Sequence, residues 1–274
     1  MVSIFWESAG GRHIFMVFGM LMVGFAVNEF LSMLSQLDKP SYPKLTSLFG
    51  VVAISSIFVV QDFTDLTLPL FIAAILAPWF ILLFSKNSQA VLEKVINSVA
   101  ALFMIVLPLC FLALIYMSGE NIENAEPDYS GRFLVLYMIL VTKFGDIGAY
   151  FTGTISNIIT KGNNHKIVPV ISPKKSWEGT IGGCVLSIVV SVVLVEFILD
   201  DQIGTFFGLW QAVVLGFVLF VGGFTGDLVE SSLKRISGVK DSGAILPGMG
   251  GVLDVLDSLI LNAPVFYYLI KYVM

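Results

Sequence analysis

Asp227, Glu230, Ser231 and Lys234 fall at i, i+3, i+4 and i+7, so one helix face carries two carboxylates, a hydroxyl and an ammonium. A second pair of carboxylates, Asp254 and Asp257, shares a helix face just after a turn containing Gly248, Gly250 and Gly251. Both groups sit in strongly apolar surroundings, where a carboxylate costs about 2.5–3.5 kcal/mol on insertion scales. Asp227, Asp254 and Asp257 together therefore need a compensating partner, and a divalent cation is the simplest one. Mg²⁺ takes one or two carboxylates plus water and phosphate oxygens, and it offsets charge that develops on a transferring phosphorus centre. The glycines would let backbone approach a ligand closely, although the same pattern also marks helix packing or a sharp reversal.

Two further groups carry charge. KFGDIGAY at 143–150 puts Lys143, Asp146 and Tyr150 on one helix face; a site-lining role competes there with a structural ion pair that avoids bare charge in lipid. In SPKKSWEG at 172–179, Pro173 opens a turn, Lys174 and Lys175 are adjacent, and a helix begins near Trp177. Cations beside a helix N-terminus suit a phosphate, whereas topology alone would also place lysines and an interfacial tryptophan there.

The elements that must position these groups are membrane helices. Of 274 residues 57% are apolar and 13% charged, with a mean hydropathy of +0.91, well outside the balance of soluble domains. Apolar stretches at 14–36, 47–60, 67–84, 97–117, 132–151, 179–199, 209–228 and 252–273 give about eight spans, the second of them short. The fold expected is an all-α polytopic integral membrane protein forming one domain over 1–274, with 1–131 mainly scaffold and 132–274 carrying the site. Residues 1–13 lack the features of a cleaved signal, so the first stretch is expected to be retained. Loops 37–46, 85–96, 152–178 and 229–251 hold eleven of the 15 Lys and Arg residues. The positive-inside bias places these loops in the cytoplasm and both termini outside; the loop at 118–131, with Glu120, Glu123, Glu126 and Asp128, faces away. The polar site then lies at the cytoplasmic ends of the C-terminal-half helices. Cys110 and Cys184 fall inside spans and read as packing residues, and only two histidines, His13 and His165, are present.

The stretch 231–257 resembles the signature of the phosphatidate cytidylyltransferase (CDP-diacylglycerol synthase) family. The resemblance rests on Ser231, Lys234, Arg235, Lys240, Asp241, Pro247, Gly250, Gly251, Asp254 and Asp257 in that order and spacing. SPKKSWEG and GDIGAYFTG (145–153) also look like segments of that family, so the likeness covers residues 140–260 and, more loosely, the whole chain. The family usually has histidine where Met249 stands and arginine where Val255 stands, and many relatives have one more leading helix.

The resemblance implies that the chain joins CTP and phosphatidic acid to give CDP-diacylglycerol and pyrophosphate, the lipid phosphate attacking the α-phosphorus. No side-chain nucleophile is then required, and positioning and electrostatics do the work. It also implies Asp227, Asp254 and Asp257 at Mg²⁺, with a second cation as a candidate. Lys174, Lys175, Lys234, Arg235 and Lys240 would serve CTP or lipid phosphates, Ser172, Ser231, Gly250 and Gly251 would help bind substrate, and Asp146, Glu230 and Asp241 are further catalytic candidates. Expected partners are CTP, phosphatidic acid and membrane lipids, with a second copy of the chain as an additional candidate and no nucleic acid. The expected location is the inner membrane, with phosphatidate entering sideways from the inner leaflet. Two alternatives explain part of the pattern: a CTP-dependent lipid kinase similar to dolichol kinase, and a cation transporter lined by the carboxylates.

Overall fold

The computed structural model describes residues 9–60, 66–83, 88–118, 130–199, 207–248 and 250–273. Their helices are α1 (Ala9–Ser35), α2 (Pro43–Val60), α3 (Leu68–Leu83), α4 (Ser88–Ala101), α5 (Leu107–Met117), α6 (Ser130–Ile159), α7 (Trp177–Val193), α8 (Leu209–Ile236) and α9 (Val252–Val273). Six helical runs are long and apolar enough to cross a membrane: Gly11–Ser35, Gln89–Met117, Gly131–Ile159, Trp177–Ile198, Leu209–Ile236 and Val252–Tyr272; Pro43–Val59 is apolar but shorter. The chain is thus a multi-pass, all-α membrane protein, with six spanning-length helices among the described residues where about eight spans were expected. Glu120, Glu123, Glu126 and Asp128 of the expected outer loop, and Met249 of the glycine turn, lie outside the described residues.

The helices run past the apolar stretches that announce them. α2 starts at Pro43, whose fixed φ and missing N–H suit a first helical position. α4 passes into α5 through a π-helical turn, Leu102–Val106, immediately ahead of Pro108. A proline there cannot donate the usual bond and crowds the preceding turn, and a widened turn relieves that conflict.

The contacts divide the chain into two compact units, Met1–Met117 with Leu233–Leu256, and Ser118–Ser232 with Asp257–Met274. In the first, the core is built from Val23, Ala26, Val27 and Phe30 of α1, Ala53, Ile54 and Ile57 of α2, and Leu109 and Ala113 of α5, all buried. Gly50 permits the α1–α2 crossing, since a Cβ there would stand 2.5 Å from Val23 Cγ1. Phe15 stacks on Tyr116 with ring centroids 4.1 Å apart, and Phe58 leans on the same tyrosine at 5.9 Å.

In the second unit α6 and α7 pack through small residues, the means by which helices approach closely in lipid. A Cβ at Gly183 would lie 2.6 Å from Gly145 O, and one at Gly179 would lie 2.7 Å from Ala149 O. Inter-helix hydrogen bonds add direction: Ser187 Oγ donates to Gly216 O (2.9 Å), and Asn262 Nδ2 donates to both Thr142 Oγ1 and Leu219 O (2.8 Å each), tying α9 to α6 and α8. A hairpin of β1 (Lys166–Val168) and β2 (Ser172–Ser176) stands before α7, with Lys166 opposite Ser176 and Val168 opposite Ser172. The sequence reading expected a turn at Pro173, and the structure has a strand. Extended backbone accommodates proline on an edge, where no ladder N–H is missed. Ser176 ends the strand and caps α7, its Oγ accepting from Gly179 N at 3.2 Å, and His165 fastens the hairpin through Glu178 Oε1 at 2.8 Å.

Candidate active site

In the second unit, α8 reaches α9 along Gly222, Gly223 and Gly226. A Cβ on Gly226 would stand 2.3 Å from Asp257 O, and one on Gly222 would stand 2.1 Å from Asn262 Oδ1, so larger residues would force the helices apart. This close approach brings the two residues on α8 that follow the glycines on the same face, Asp227 and Glu230, to Asp257 of α9. One carboxylate oxygen from each of the three lies within 4.8 Å of the others, a grouping that could hold a metal ion.

Two ammonium groups attend these acids. Lys175 Nζ lies 2.9 Å from Asp227 Oδ2, donates to Phe224 O at 3.2 Å and sits 4.1 Å above the Phe224 ring. Lys143 Nζ donates to Ser258 Oγ at 2.8 Å and lies 3.7 Å from Asp146 Oδ2 and 3.9 Å from Asp257 Oδ1. Ser231 Oγ, one turn beyond Asp227, donates to Asp227 Oδ1 at 3.2 Å. Four carboxylates (Asp146, Asp227, Glu230, Asp257) against two lysines leave a formal charge of −2, matching what a divalent cation neutralises.

The neighbouring Lys174 does not join this group. Successive residues of a strand point to opposite faces, so Lys175 turns inward to Asp227 while Lys174 is exposed; Ser172, at the start of β2, is half-buried.

The first unit holds a separate constellation around the glycine turn. Lys234 Nζ meets Asp254 Oδ1 at 2.6 Å, while Asp254 Oδ2 accepts from Gly251 N (2.6 Å), Ser242 N (3.0 Å) and Ser242 Oγ (2.9 Å). Asp254 is the third residue of α9 and Gly251 precedes the helix, so the carboxylate closes back on the N-cap amide as an acidic side chain does in a capping box. Leu246 and Gly250 exchange two backbone hydrogen bonds (3.0 and 3.1 Å), and Gly248 and Gly250 adopt φ of 79° and 88°, where side chains are disfavoured. Arg235, Lys240 and Asp241 are exposed, and Val255 is half-buried.

Among the expected residues, the structure thus groups Asp227, Glu230, Ser231, Asp257, Lys175 and Asp146 in one unit, and Lys234, Asp254, Gly250 and Gly251 in the other. Asp254 and Asp257, paired by spacing on one helix face, have different partners. Reading the sequence for site residues left out Ser242 and Glu29; Lys143 was placed on the face of Asp146, without Asp257 or Ser258 as partners. The lone carboxylate Glu29 in an otherwise apolar first helix was the available signal.

The sequence profile described as "Cytidylyltransferase family" matches residues 1–273. The chain is similar to the phosphatidate cytidylyltransferase of Staphylococcus saprophyticus, with 34% identity over 264 residues, covering 95% of this chain and 91% of the relative. That of Staphylococcus haemolyticus is 32% identical over 93% of this chain and 89% of its own length. That of Chlamydia muridarum is 33% identical over 70% of this chain and 63% of its own. Three carboxylates held in an apolar helix pair, the basic residues set against them and an end-to-end match in sequence agree, and the chain belongs to the cytidylyltransferase family.

Proposed function

We propose that the chain transfers the cytidylyl group of CTP to phosphatidic acid, giving CDP-diacylglycerol and pyrophosphate in phospholipid biosynthesis at the inner membrane. The observation that carries the reading is the Asp227, Glu230 and Asp257 cluster with Lys143 and Lys175 beside it, in a chain that matches its family end to end. A lipid phosphate oxygen attacks the α-phosphorus of CTP; that P–O bond forms as the bond to the β-phosphate oxygen breaks, and pyrophosphate leaves. The attacking group is already an anion, so no residue need become a covalent nucleophile.

Asp227, Glu230 and Asp257 would hold Mg²⁺, whose positive charge supplies neutralisation for the phosphates, with Asp254 and a second cation as further candidates. Lys175 and Lys143 are kept near the acids by ion pairs of 2.9 and 3.9 Å, charged and oriented, ready to meet phosphate oxygens without the cost of ordering a mobile side chain. Lys234 is held by Asp254 in the same way and, with Arg235 and Lys240, serves the phosphates of CTP or the lipid; Lys174, exposed on the other face of β2, is at most a peripheral contact. Ser172, Ser231, Gly250 and Gly251 support substrate binding, and Asp146 and Asp241 adjust the local charge. The helix ends and loops bearing these residues face the cytoplasm, by the distribution of Lys and Arg. Neither alternative is favoured: the full-length relatives are named as cytidylyltransferases, and no feature of the cluster calls for a transport path.

The test is turnover by the purified protein in detergent with Mg²⁺, CTP and phosphatidic acid. CDP-diacylglycerol and pyrophosphate should appear in equal amounts and vanish with EDTA. Release of CDP with a phosphorylated lipid would replace this reading with a kinase.

A further inference from the structure

Glu29 is a buried carboxylate, 6% exposed, in the C-terminal third of an apolar helix, and the proposed chemistry leaves it unused. Its oxygens meet the start of another helix. Oε1 accepts from Val252 N at 3.0 Å, and Oε2 accepts from Leu253 N at 2.8 Å and lies 3.1 Å from Ser242 Oγ. The first amides of a helix have no partner within it and carry the positive end of its dipole. An N-cap side chain usually satisfies them, but residue 251 is glycine and has none. Glu29, more than two hundred residues away in sequence, supplies the missing acceptor. The fit is close on both sides: a Cβ on Gly243 would lie 2.3 Å from Glu29 Oε1, and one on Gly251 would lie 2.4 Å from Glu29 Oε2 and 2.1 Å from Ser242 Oγ. Those glycines are needed because a carboxylate occupies the space.

The same contacts continue to the basic residue of this unit. The Ser242 hydroxyl lies between Glu29 Oε2 and Asp254 Oδ2, whose partner oxygen holds Lys234 Nζ at 2.6 Å. We infer that Glu29 is a positioning residue: from the first membrane helix it fixes the 242–254 turn, and through Ser242 and Asp254 the Lys234 ammonium, for a substrate phosphate. The inference rests on the proposed role of Lys234. It gives the N-terminal part of the chain a part in catalysis beyond scaffold.

The test compares Glu29→Gln, Ser242→Ala and Lys234→Met in the full-length purified protein, reading kcat, the KM for CTP and amide hydrogen exchange over 240–256. In Glu29→Gln an NH₂ group replaces one acceptor facing amide and hydroxyl donors. Exchange at Val252 and Leu253 should quicken by about tenfold or more, with little change elsewhere, and the KM for CTP should rise at least about fivefold. Ser242→Ala, which removes only the bridging hydroxyl and should fold, should raise the KM for CTP in the same direction. A merely structural role would lower kcat with the active fraction and leave the KM for CTP unchanged; that result, or unchanged exchange in a folded Glu29→Gln protein, overturns the inference. If Glu29→Gln fails to fold, an unchanged KM in Ser242→Ala overturns it. An unchanged KM in Lys234→Met would instead remove the assignment of Lys234 on which the inference rests, so the two failures are distinct.

Discussion

Asp227→Asn probes the cluster most sharply, because it removes one charge while keeping the volume and one of the two oxygens, which can accept from either Lys175 or Ser231 but not both. Asp227 has Lys175 Nζ at 2.9 Å and Ser231 Oγ at 3.2 Å, and an oxygen within 4.8 Å of those offered by Glu230 and Asp257. Two unit charges about 4 Å apart interact by about 4 kcal/mol at an effective dielectric of about 20. If the variant forfeits one such unit of interaction in the transition state, counting the phosphate-bound cation as one net positive charge, the loss of about 4 kcal/mol corresponds to about a thousandfold in rate. The assay is CTP-dependent turnover at saturating Mg²⁺ on protein whose monodispersity and thermal unfolding match the parent. Raising Mg²⁺ should recover part of the activity only if the loss is one of cation affinity. A folded variant keeping more than about a tenth of parental turnover, where about a thousandth is expected, would refute the assignment of Asp227 to the cation. Asp254→Asn should also fall steeply, since it weakens the 2.6 Å contact with Lys234, and retained activity in both variants would remove the carboxylate account altogether.

Strand alternation separates the adjacent lysines: Lys175→Met should lose about a hundredfold in kcat/KM, and Lys174→Met, exposed on the other face of β2, no more than about threefold, by steady-state kinetics. Gly226→Ala places a methyl 2.3 Å from the Asp257 carbonyl, a backbone atom that cannot rotate away; overpacking should cost about 1–3 kcal/mol, read as a lower unfolding temperature in detergent, together with lost turnover as the acids separate. Asn262→Leu strips two 2.8 Å hydrogen bonds between helices and should destabilise by about 1–2 kcal/mol while leaving the Mg²⁺ requirement intact, measured by thermal unfolding and by metal titration.

The helical skeleton was legible because lipid demands long apolar segments with their backbone bonds satisfied internally. The ends were not, since α6 continues past 151 through Thr152, Ser156 and Asn157, and α8 continues past 228 through Glu230 and Lys234, residues that resemble loop composition. The acid pattern on α8 was readable from helical spacing alone. The partners were not: Lys143 meets Asp257 across more than a hundred residues, and Lys175 meets Asp227 across about fifty, distances at which sequence carries no register. Spacing also misleads at Asp254 and Asp257. They are an i, i+3 pair, yet Asp254 belongs to the first turn of α9, where free amides and Lys234 claim it, while Asp257 faces the glycine seam of α8. Glu29 shows the same limit from the other side: its cost in an apolar helix was visible, but the glycine-capped helix start that justifies it lies far along the chain.

The central claim is that the α-phosphorus of CTP goes to the lipid, and isotope placement tests it most directly. Purified protein would be given phosphatidic acid with CTP labelled at either the α- or the γ-phosphorus, and the label followed into lipid and water-soluble products. The account predicts α-label in the lipid product and γ-label only in pyrophosphate. Label from the γ-position in the lipid, with CDP released, would contradict it.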